Sequence, residues 1–139
     1  MALRSTVYPM APTRLDEAAG LTVADVMHAK FSALPASAMI DDVREWFAAS
    51  DHRQMAFLAD GERYAGSIPR AELTDDLDAV RPATEVALDG PTVAPDEPAS
   101  RAEEFALQTD ARRVPVVDRD GRLLGTVAVT PDLQRFCGT

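Results

Sequence analysis

The sequence predicts an α+β fold built from two copies of one small unit, and three observations lead to this prediction. Helical and extended patterns alternate, an Asp-Gly turn separates two apolar runs in each half, and the pattern recurs after about 60 residues. The composition agrees, since 46% of the residues are hydrophobic and 27% are charged. A unit of about 60 residues is marginal alone, so we expect the two copies to bury their sheet faces against each other.

Each unit opens with a short helical segment followed by a short extended run. In the first unit, Thr22 is suited to cap the helix, and Asp25 completes the spacing of a capping box. Residues 81–86 form the weaker counterpart in the second unit. The extended runs at 31–34 and 92–94 are each followed by a proline, which lacks the N–H that would continue a strand.

A longer helix comes next in each unit and carries one apolar stripe. The first begins after Ser37 and the second after Glu97, where Pro98 suits the first helical turn. Apolar residues recur at positions i, i+3, i+6 and i+7, as on one face of a helix. They are Ile40, Val43, Trp46 and Phe47 in the first helix and Ala99, Ala102, Phe105 and Ala106 in the second. We therefore expect Trp46 and Phe47 in the core rather than in a ligand pocket.

Two strands joined by a tight turn follow each long helix. The dipeptides Asp60-Gly61 and Asp120-Gly121 lie between apolar runs, which is a strong hairpin signal. The first strands contain the runs 55–58 and 114–117, which align at an offset of 59 residues.

A last helix is predicted to close each unit. The second hairpin strands, at 64–68 and 123–129, lead into helices that begin near 69–73 and 131–133. Residues 74–78 contain a threonine cap followed by three aspartates, which the helix dipole favours in a first turn. We expect a solvated helix there rather than a cation site.

These elements divide the chain into an N-terminal arm at 1–20, a first repeat at 21–78 and a second repeat at 79–137. Two prolines and a glycine interrupt the arm, and it has no continuous apolar segment of the kind that signal peptides contain. The arm is expected to be mobile or to pack on a neighbour.

The charge and the cysteine count exclude several classes of partner. With 14 basic and 23 acidic residues the net charge is −9, whereas nucleic acids and anionic membranes both attract basic surfaces. The sequence contains no apolar run of about 18 residues, which is the length that spans a bilayer. The single cysteine, Cys137, cannot form an internal disulfide, which favours a reducing compartment such as the cytoplasm. Together with His28 and His52 it supplies no four-ligand set for structural zinc, so no metal site is predicted.

Several short motifs recur in order across both halves. They are Thr22–Met27, the proline after a short strand, Val114–Asp118, Asp120-Gly121, and Gly125 followed by Asp132-Leu133. Ordered and duplicated in this way, they resemble the CBS domain, which is named after cystathionine β-synthase. The resemblance covers about residues 20–137. It implies two βαββα repeats packed as a pseudo-two-fold pair, an arrangement called a Bateman module.

The resemblance also implies regulation rather than catalysis, and the chain contains no nucleophile–base pair that would indicate an enzyme. Such pairs commonly bind an adenosine-containing ligand (AMP, ADP, ATP or S-adenosylmethionine) in clefts between the repeats and often dimerise. We therefore expect a stand-alone sensor of such a ligand that requires no cofactor, forms a homodimer and acts on a separate protein partner. The alternative is a dimeric interaction module whose clefts bind no ligand.

The family's ligand signature is a glycine, two apolar residues, Ser or Thr, two further residues and Asp. The first repeat has Pro69 in place of the hydroxyl residue and Glu72 in place of Asp, so its site is predicted to be degraded. The second repeat has Thr130 and Asp132, with one extra residue before the Asp. This hydroxyl and carboxylate could bind phosphate and ribose, or Thr130 could cap the last helix.

Further candidate residues follow from the resemblance. The backbone at Ala33-Leu34 and at Thr92-Val93 corresponds to the segments that face adenine in relatives. Two arginines stand where relatives carry phosphate-facing bases, although a solvated turn in which they pair with Asp110 or Glu104 is the alternative. These arginines and the two residues after them are Arg112, Arg113, Val114 and Pro115.

Overall fold

The computed structural model describes residues 13–29 and 31–136, and it confirms the predicted α+β class. The helices are α1 (Val23–Val26), α2 (Ile40–Ala48) and α3 (Ala99–Leu107). The strands are β1 (Ala33–Pro35), β2 (Met55–Asp60), β3 (Arg63–Pro69), β4 (Arg113–Val117) and β5 (Leu123–Ala128). Short 3₁₀ turns lie at Leu15–Glu17, Arg70–Glu72 and Ala83–Glu85.

The strands form two small sheets, one in each half of the molecule. β2 lies between β1, which runs parallel to it, and β3, which runs antiparallel. β4 and β5 pair antiparallel, and Val93 makes a parallel bridge to Val116 at the place that β1 occupies in the first sheet. Both predicted hairpins are confirmed: Gly61 and Gly121 adopt φ values of 66° and 87°, which lie in the left-handed region that favours glycine.

The opening segment of each repeat packs against the other repeat. The capping box of α1 is present, with the backbone N–H of Thr22 donating to the Asp25 carboxylate at 2.8 Å. α1 lies on α3, so that Val23 is buried in the same hydrophobic cluster as Val114. The opening segment of the second repeat packs on the first repeat in the same way, because its Ala83 is buried beneath α2 in the cluster of the first half. Each cluster therefore combines residues from both repeats, and neither repeat closes its core without the other.

Gly66 and Gly125 allow the opening segment of each repeat to pass close to a strand of the other repeat. The segment at His28 pairs with β5, and the segment at Ala87–Leu88 pairs with β3. A Cβ on Gly125 would lie 2.2 Å from the carbonyl oxygen of His28, and one on Gly66 would lie 2.9 Å from the Cβ of Ala87. A side chain at either position would therefore push the crossing segment off its sheet.

α2 and α3 bury the stripe predicted for them except at position i+6. The residues buried are Ile40, Val43 and Phe47 in α2 and Ala99, Ala102 and Ala106 in α3. Trp46 lies at the edge of the core rather than inside it, because i+6 falls to one side of a stripe centred on i, i+3 and i+7. The guanidinium of Arg53 lies over the Trp46 ring, 4.4 Å from the ring centre. Pro98 takes the N-cap position of α3, one residue before the predicted place.

The first strands of the two hairpins do not align at the offset predicted for them. Ala56 and Leu58 of β2 belong to the cluster beneath α2, and Val114 and Val116 of β4 belong to the equivalent cluster beneath α3. These pairs are 58 residues apart rather than 59. Because side chains alternate along a strand, the predicted offset of 59 would direct the opposite face of β4 towards the core. The hairpin loop of the second half is one residue longer, which restores the offset of 59 in the next strand.

A third hydrophobic cluster joins the two halves, as the sequence predicts. Met55 and Phe57 of β2 pack with Ala111 and Leu123 of the second half. Tyr64 packs at the edge of this cluster, and its buried hydroxyl has no hydrogen-bond partner among residues 13–29 and 31–136. Burial raises the pKa of Tyr64 above its ordinary value.

The prediction that a last helix closes each repeat is wrong. In the described residues, a single 3₁₀ turn follows β3, and residues 131–134 after β5 form turns and bends. The loop at 73–79 is held against α2 by Arg44, which donates to the carbonyl oxygens of Thr74 and Leu77 at 3.0 and 2.8 Å. The hydroxyl of Thr74 donates to the carboxylate of Asp76. These polar contacts compete with a helix, because they take up backbone and cap groups that a helix would use.

Part of the predicted arm packs on the end of the chain. The N–H of Leu15 donates to the carbonyl oxygen of Gln134 at 2.9 Å, and Ala18 is only 4% exposed. Residues 1–12, Lys30 and Cys137 lie outside the described residues. Within 13–29 and 31–136, no helix is both long and apolar enough to cross a membrane.

Candidate ligand-binding clefts

A cleft opens between the two halves of the molecule where β3 ends, and we call it the Pro69 cleft. Its volume is about 320 Å³. One wall contains Pro69, Arg70 and Glu72, and the other contains the segment after α3, residues 108–111. The first repeat's version of the ligand signature therefore lies in an inter-repeat cleft, even though the sequence predicts that site to be degraded.

Arg70 lines the Pro69 cleft, but its guanidinium is engaged with the protein. Its Nη2 donates to the carbonyl oxygens of Phe47 and Ser50 at 3.0 and 2.8 Å, and its Nε donates to that of Arg53 at 2.8 Å. The guanidinium also lies 4.9 Å from the centre of the Phe47 ring. Phe47 lies in the last turn of α2, and Ser50 and Arg53 follow the helix, so Arg70 attaches the end of α2 and the segment after it to this wall of the cleft.

The polar pair of the second repeat closes a turn on itself. The hydroxyl of Thr130 lies 2.6 Å from a carboxylate oxygen of Asp132 and accepts the N–H of Arg135 at 3.3 Å. The same carboxylate oxygen accepts the N–H of Gln134 at 3.1 Å. The hydrogen bonds from Thr130 and Gln134 hold the pKa of Asp132 below its ordinary value. Thr130 does not cap a helix, since residues 131–134 form none.

Arg112 ties the start of β4 to the end of β5. Its Nε donates to the carbonyl oxygen of Val129 at 3.2 Å, and its Nη1 donates to the backbone carbonyl of Asp110 at 3.1 Å. Its φ of 54° is left-handed, which is uncommon for a residue with a side chain. This arginine therefore contacts Asp110, as the solvated-turn alternative predicts, but through the backbone rather than the carboxylate.

Arg113 points back along the chain and towards the first repeat. Its Nη1 donates to the carbonyl oxygen of Ala111 at 2.7 Å, and its Nη2 donates to that of His52 at 3.5 Å. The contact with His52 crosses between the halves, so this arginine helps to hold them together.

The remaining predicted residues are not gathered at the same place. Val114 is 1% exposed within the hydrophobic cluster beneath α3, and Pro115 is also buried. Ala33 and Leu34 lie in β1, on the other sheet, and Leu34 lines a separate groove of about 550 Å³ beside Trp46. The structure therefore groups Arg112, Thr130 and Asp132 near the end of β5 and leaves Ala33 and Leu34 apart from them.

Sequence reasoning missed one wall of the Pro69 cleft. Gln108, Thr109 and Asp110 belong to the second repeat and follow α3 without a recognisable motif, yet they face the signature of the first repeat. Comparison of each repeat with the other could not find them, because such a comparison does not indicate which segments meet across the pair. Among residues 13–29 and 31–136, no group of three or more His, Cys, Asp or Glu side chains is placed to hold a metal ion.

Comparison with known proteins identifies the fold. Residues 83–130 match the family model of the CBS domain. The chain matches no curated protein. Many solved structures are similar to this chain in fold, and three of them are described next.

The first is the CBS-pair domain of a proposed Mg²⁺ transporter of Shewanella oneidensis MR-1, with a TM-score of 0.68 and 17% identity over 77% of this chain and 64% of that one. This chain therefore spans less than two thirds of that structure. The second is a CBS-pair protein of Arabidopsis thaliana, with a TM-score of 0.68 and 21% identity over 78% of this chain and 89% of that one. The third is a CBS domain protein of Pyrobaculum aerophilum complexed with AMP, with a TM-score of 0.67 and 23% identity over 78% and 87%.

Proposed function

The chain has the fold of a tandem CBS-domain pair, and from this premise we propose that it is a regulatory module that binds an adenosine-containing ligand between its repeats. The observation that carries the proposal is the Pro69 cleft, which lies between the halves and contains the signature segment of the first repeat. The AMP complex of the similar Pyrobaculum aerophilum protein supports the ligand class. We propose binding rather than catalysis, because CBS pairs are generally regulatory.

Two measurements test this proposal. Denaturing the purified protein and recording the ultraviolet spectrum and mass of the released material would identify a ligand that copurifies. Calorimetric titration with AMP, ATP and S-adenosylmethionine would detect one that does not. We expect at least one adenosine compound to bind. Absence of binding to all three at about millimolar concentration would contradict the proposal.

The second candidate function is a dimeric interaction module whose clefts bind no ligand. Two observations favour it: Pro69 supplies no hydroxyl at its signature position, and Thr130 and Asp132 are hydrogen-bonded to each other. This function predicts that no adenosine compound changes the melting temperature, while the protein still recovers a specific partner in pull-downs.

We further propose that the chain forms a homodimer in the cytoplasm. The likeness to CBS pairs and the single cysteine support these two expectations. Light scattering during size-exclusion chromatography should give twice the mass of one chain, and a value equal to one chain would contradict the dimer.

A further inference from the structure

Two carboxylates and one guanidinium line the Pro69 cleft, which gives its lining a net negative charge. Glu72 and Asp110 line it and are exposed, and neither takes part in an ion pair within the described residues. Arg70 is the one basic residue among the described residues that line the cleft. Its guanidinium already donates to three backbone carbonyls and stacks on Phe47. A phosphate in the cleft would therefore meet two carboxylates and no uncommitted cation.

The size of the cleft and the uncharged side chains of its lining suit a nucleoside. Its volume of about 320 Å³ lies near the lower end of the range of about 300 to 1,000 Å³ for small-molecule sites. Gln54, Gln108 and Thr109 line the cleft with polar groups that add no charge. The Thr109 hydroxyl is bonded to the backbone of Ala106 and Arg112, and one N–H of Gln54 donates to the carbonyl oxygen of Asp51. The remaining amide groups of Gln54 and Gln108 can donate or accept hydrogen bonds to a ligand. Pro69 and Leu88 supply apolar surface. The carboxylate of Glu72 can accept two hydrogen bonds from ribose hydroxyls.

From these observations we infer that the Pro69 cleft selects adenosine compounds whose 5′ substituent is uncharged or positive, such as adenosine or S-adenosylmethionine, and discriminates against AMP and ATP. The inference rests on the proposed function and names the ligand class for that site. The physical reason is that the chain has a net charge of −9 and places two of its carboxylates, Glu72 and Asp110, at the cleft. Recruiting Arg70 to a phosphate would break its contacts with the end of α2, so this charge is not available without cost.

The first experiment is a calorimetric titration of the full chain with four compounds. Adenosine, S-adenosylmethionine, AMP and ATP are compared at low ionic strength, because salt screens the repulsion beyond about 8 Å at physiological concentration. We expect adenosine and S-adenosylmethionine to bind about tenfold more tightly than AMP, and ATP to bind more weakly still. Raising the salt concentration should reduce the difference between S-adenosylmethionine and AMP.

Two sets of variants test the cause. The double variant Glu72→Gln, Asp110→Asn should raise the affinity for AMP by about tenfold relative to S-adenosylmethionine. The matched control is Asp60→Asn, Glu62→Gln, which removes the same charge at the hairpin end of β2 and β3, opposite the end where Met55 pairs with Pro69. This control should leave the ratio of the two affinities unchanged. Ala71→Trp, at an exposed position of the lining, should block binding of S-adenosylmethionine.

The outcomes separate this inference from the function on which it rests. If AMP or ATP binds as tightly as S-adenosylmethionine, the proposed function stands and the inferred selectivity is overturned. If the ligand binds normally to Ala71→Trp, the cleft is the wrong site, although the chain is still a sensor. If none of the four compounds binds, both the proposed function and the inference fail.

Discussion

The two segments that follow Gly66 and Gly125 have the same place in their repeats, yet they end in different structures. After Gly66, the chain enters the Pro69 cleft, and Arg70 attaches it to the end of α2. After Gly125, the chain turns back on itself, because Thr130 bonds to Asp132 and to Arg135. The repeat with the better polar pair therefore uses that pair within its own turn, while the repeat with the poorer match to the signature lines the inter-repeat cleft. Hydrogen-bond partners in the folded chain, rather than residue types, decide which polar groups can meet a ligand.

Replacing the two glycines should have the largest effect on stability. Gly125→Ala places a Cβ against the backbone oxygen of His28, which cannot move without losing its pairing with β5, so we expect a loss of about 3 kcal/mol. Gly66→Ala meets the Cβ of Ala87 and has a φ of 122°, so it should cost about 2 kcal/mol. Urea denaturation measures both losses.

Gly90→Ala is the matched control for the glycine variants, because no described residue other than its chain neighbours has an atom within 4 Å of the added Cβ. It should change the unfolding free energy by less than about 0.5 kcal/mol. A Gly125→Ala protein that unfolds at the same urea concentration as this control would show that the crossing at His28 is not needed.

Replacing the arginines should have the next largest effect and should be unequal between the repeats. Arg70→Met removes hydrogen bonds to three carbonyls and a stacking contact, and we expect a loss of about 2 kcal/mol. Arg112→Met removes bonds to two carbonyls and should cost about 1 kcal/mol. Arg119→Met, at an exposed position, is the control. Equal midpoints for Arg70→Met and Arg119→Met in chemical denaturation would refute the role of Arg70 at the end of α2.

Tyr64 offers a smaller test at the contact between the halves. Tyr64→Phe removes a buried hydroxyl without a partner, so it should leave stability unchanged or increase it by up to about 1 kcal/mol. Because burial raises the pKa of Tyr64, its neutral form contributes stability below pH 10.0 that is lost as the pH rises through the folded-state pKa. The wild type should therefore lose stability above pH 10.0 relative to Tyr64→Phe, as thermal melts in this range would show. A variant that is clearly less stable at pH 7 would mean that the hydroxyl is bonded.

Asp132→Asn should have the smallest effect, confined to the turn after β5. The hydrogen bonds from Thr130 and Gln134 lower the pKa of Asp132, so the ionised form stabilises the folded chain above its ordinary value of 3.8. The small advantage of the wild type over Asp132→Asn at pH 7 should fade as the pH falls through the folded-state pKa. Thermal melts from pH 7 to pH 3 measure it, and a difference independent of pH would contradict the assignment.

Several parts of the fold could be predicted because they depend on neighbours along the chain. The capping box at Thr22 and Asp25 involves one helical turn, and the Asp-Gly turns require only the left-handed freedom of glycine. The stripes of α2 and α3 follow from the helical period, which also accounts for the edge position of Trp46.

Other parts could not be predicted because a competing contact decided them. The helix expected at 74–78 gives way to a loop whose carbonyls are bonded by Arg44, a residue about 30 positions earlier. The register of β4 differs by one residue from the predicted one, because the hairpin of the second half is one residue longer. Only the burial of Val114 and Val116 shows which face of β4 is directed inward. Thr130 and Asp132 are predicted from the signature as ligand-binding residues, and the signature does not indicate the hydrogen bond that joins them in the folded chain.

The sequence by itself determined that this protein consists of two similar α+β repeats, because the period of apolar residues and the turn chemistry are local properties of the chain. Only the tertiary structure decided that the opening segment of each repeat packs in the other, which two glycines permit by close backbone approach. It also decided that the inter-repeat cleft joins Pro69 and Glu72 to Asp110 and that Arg70 is occupied there. These features depend on contacts between residues far apart in sequence, and such contacts exist only once both halves have packed together.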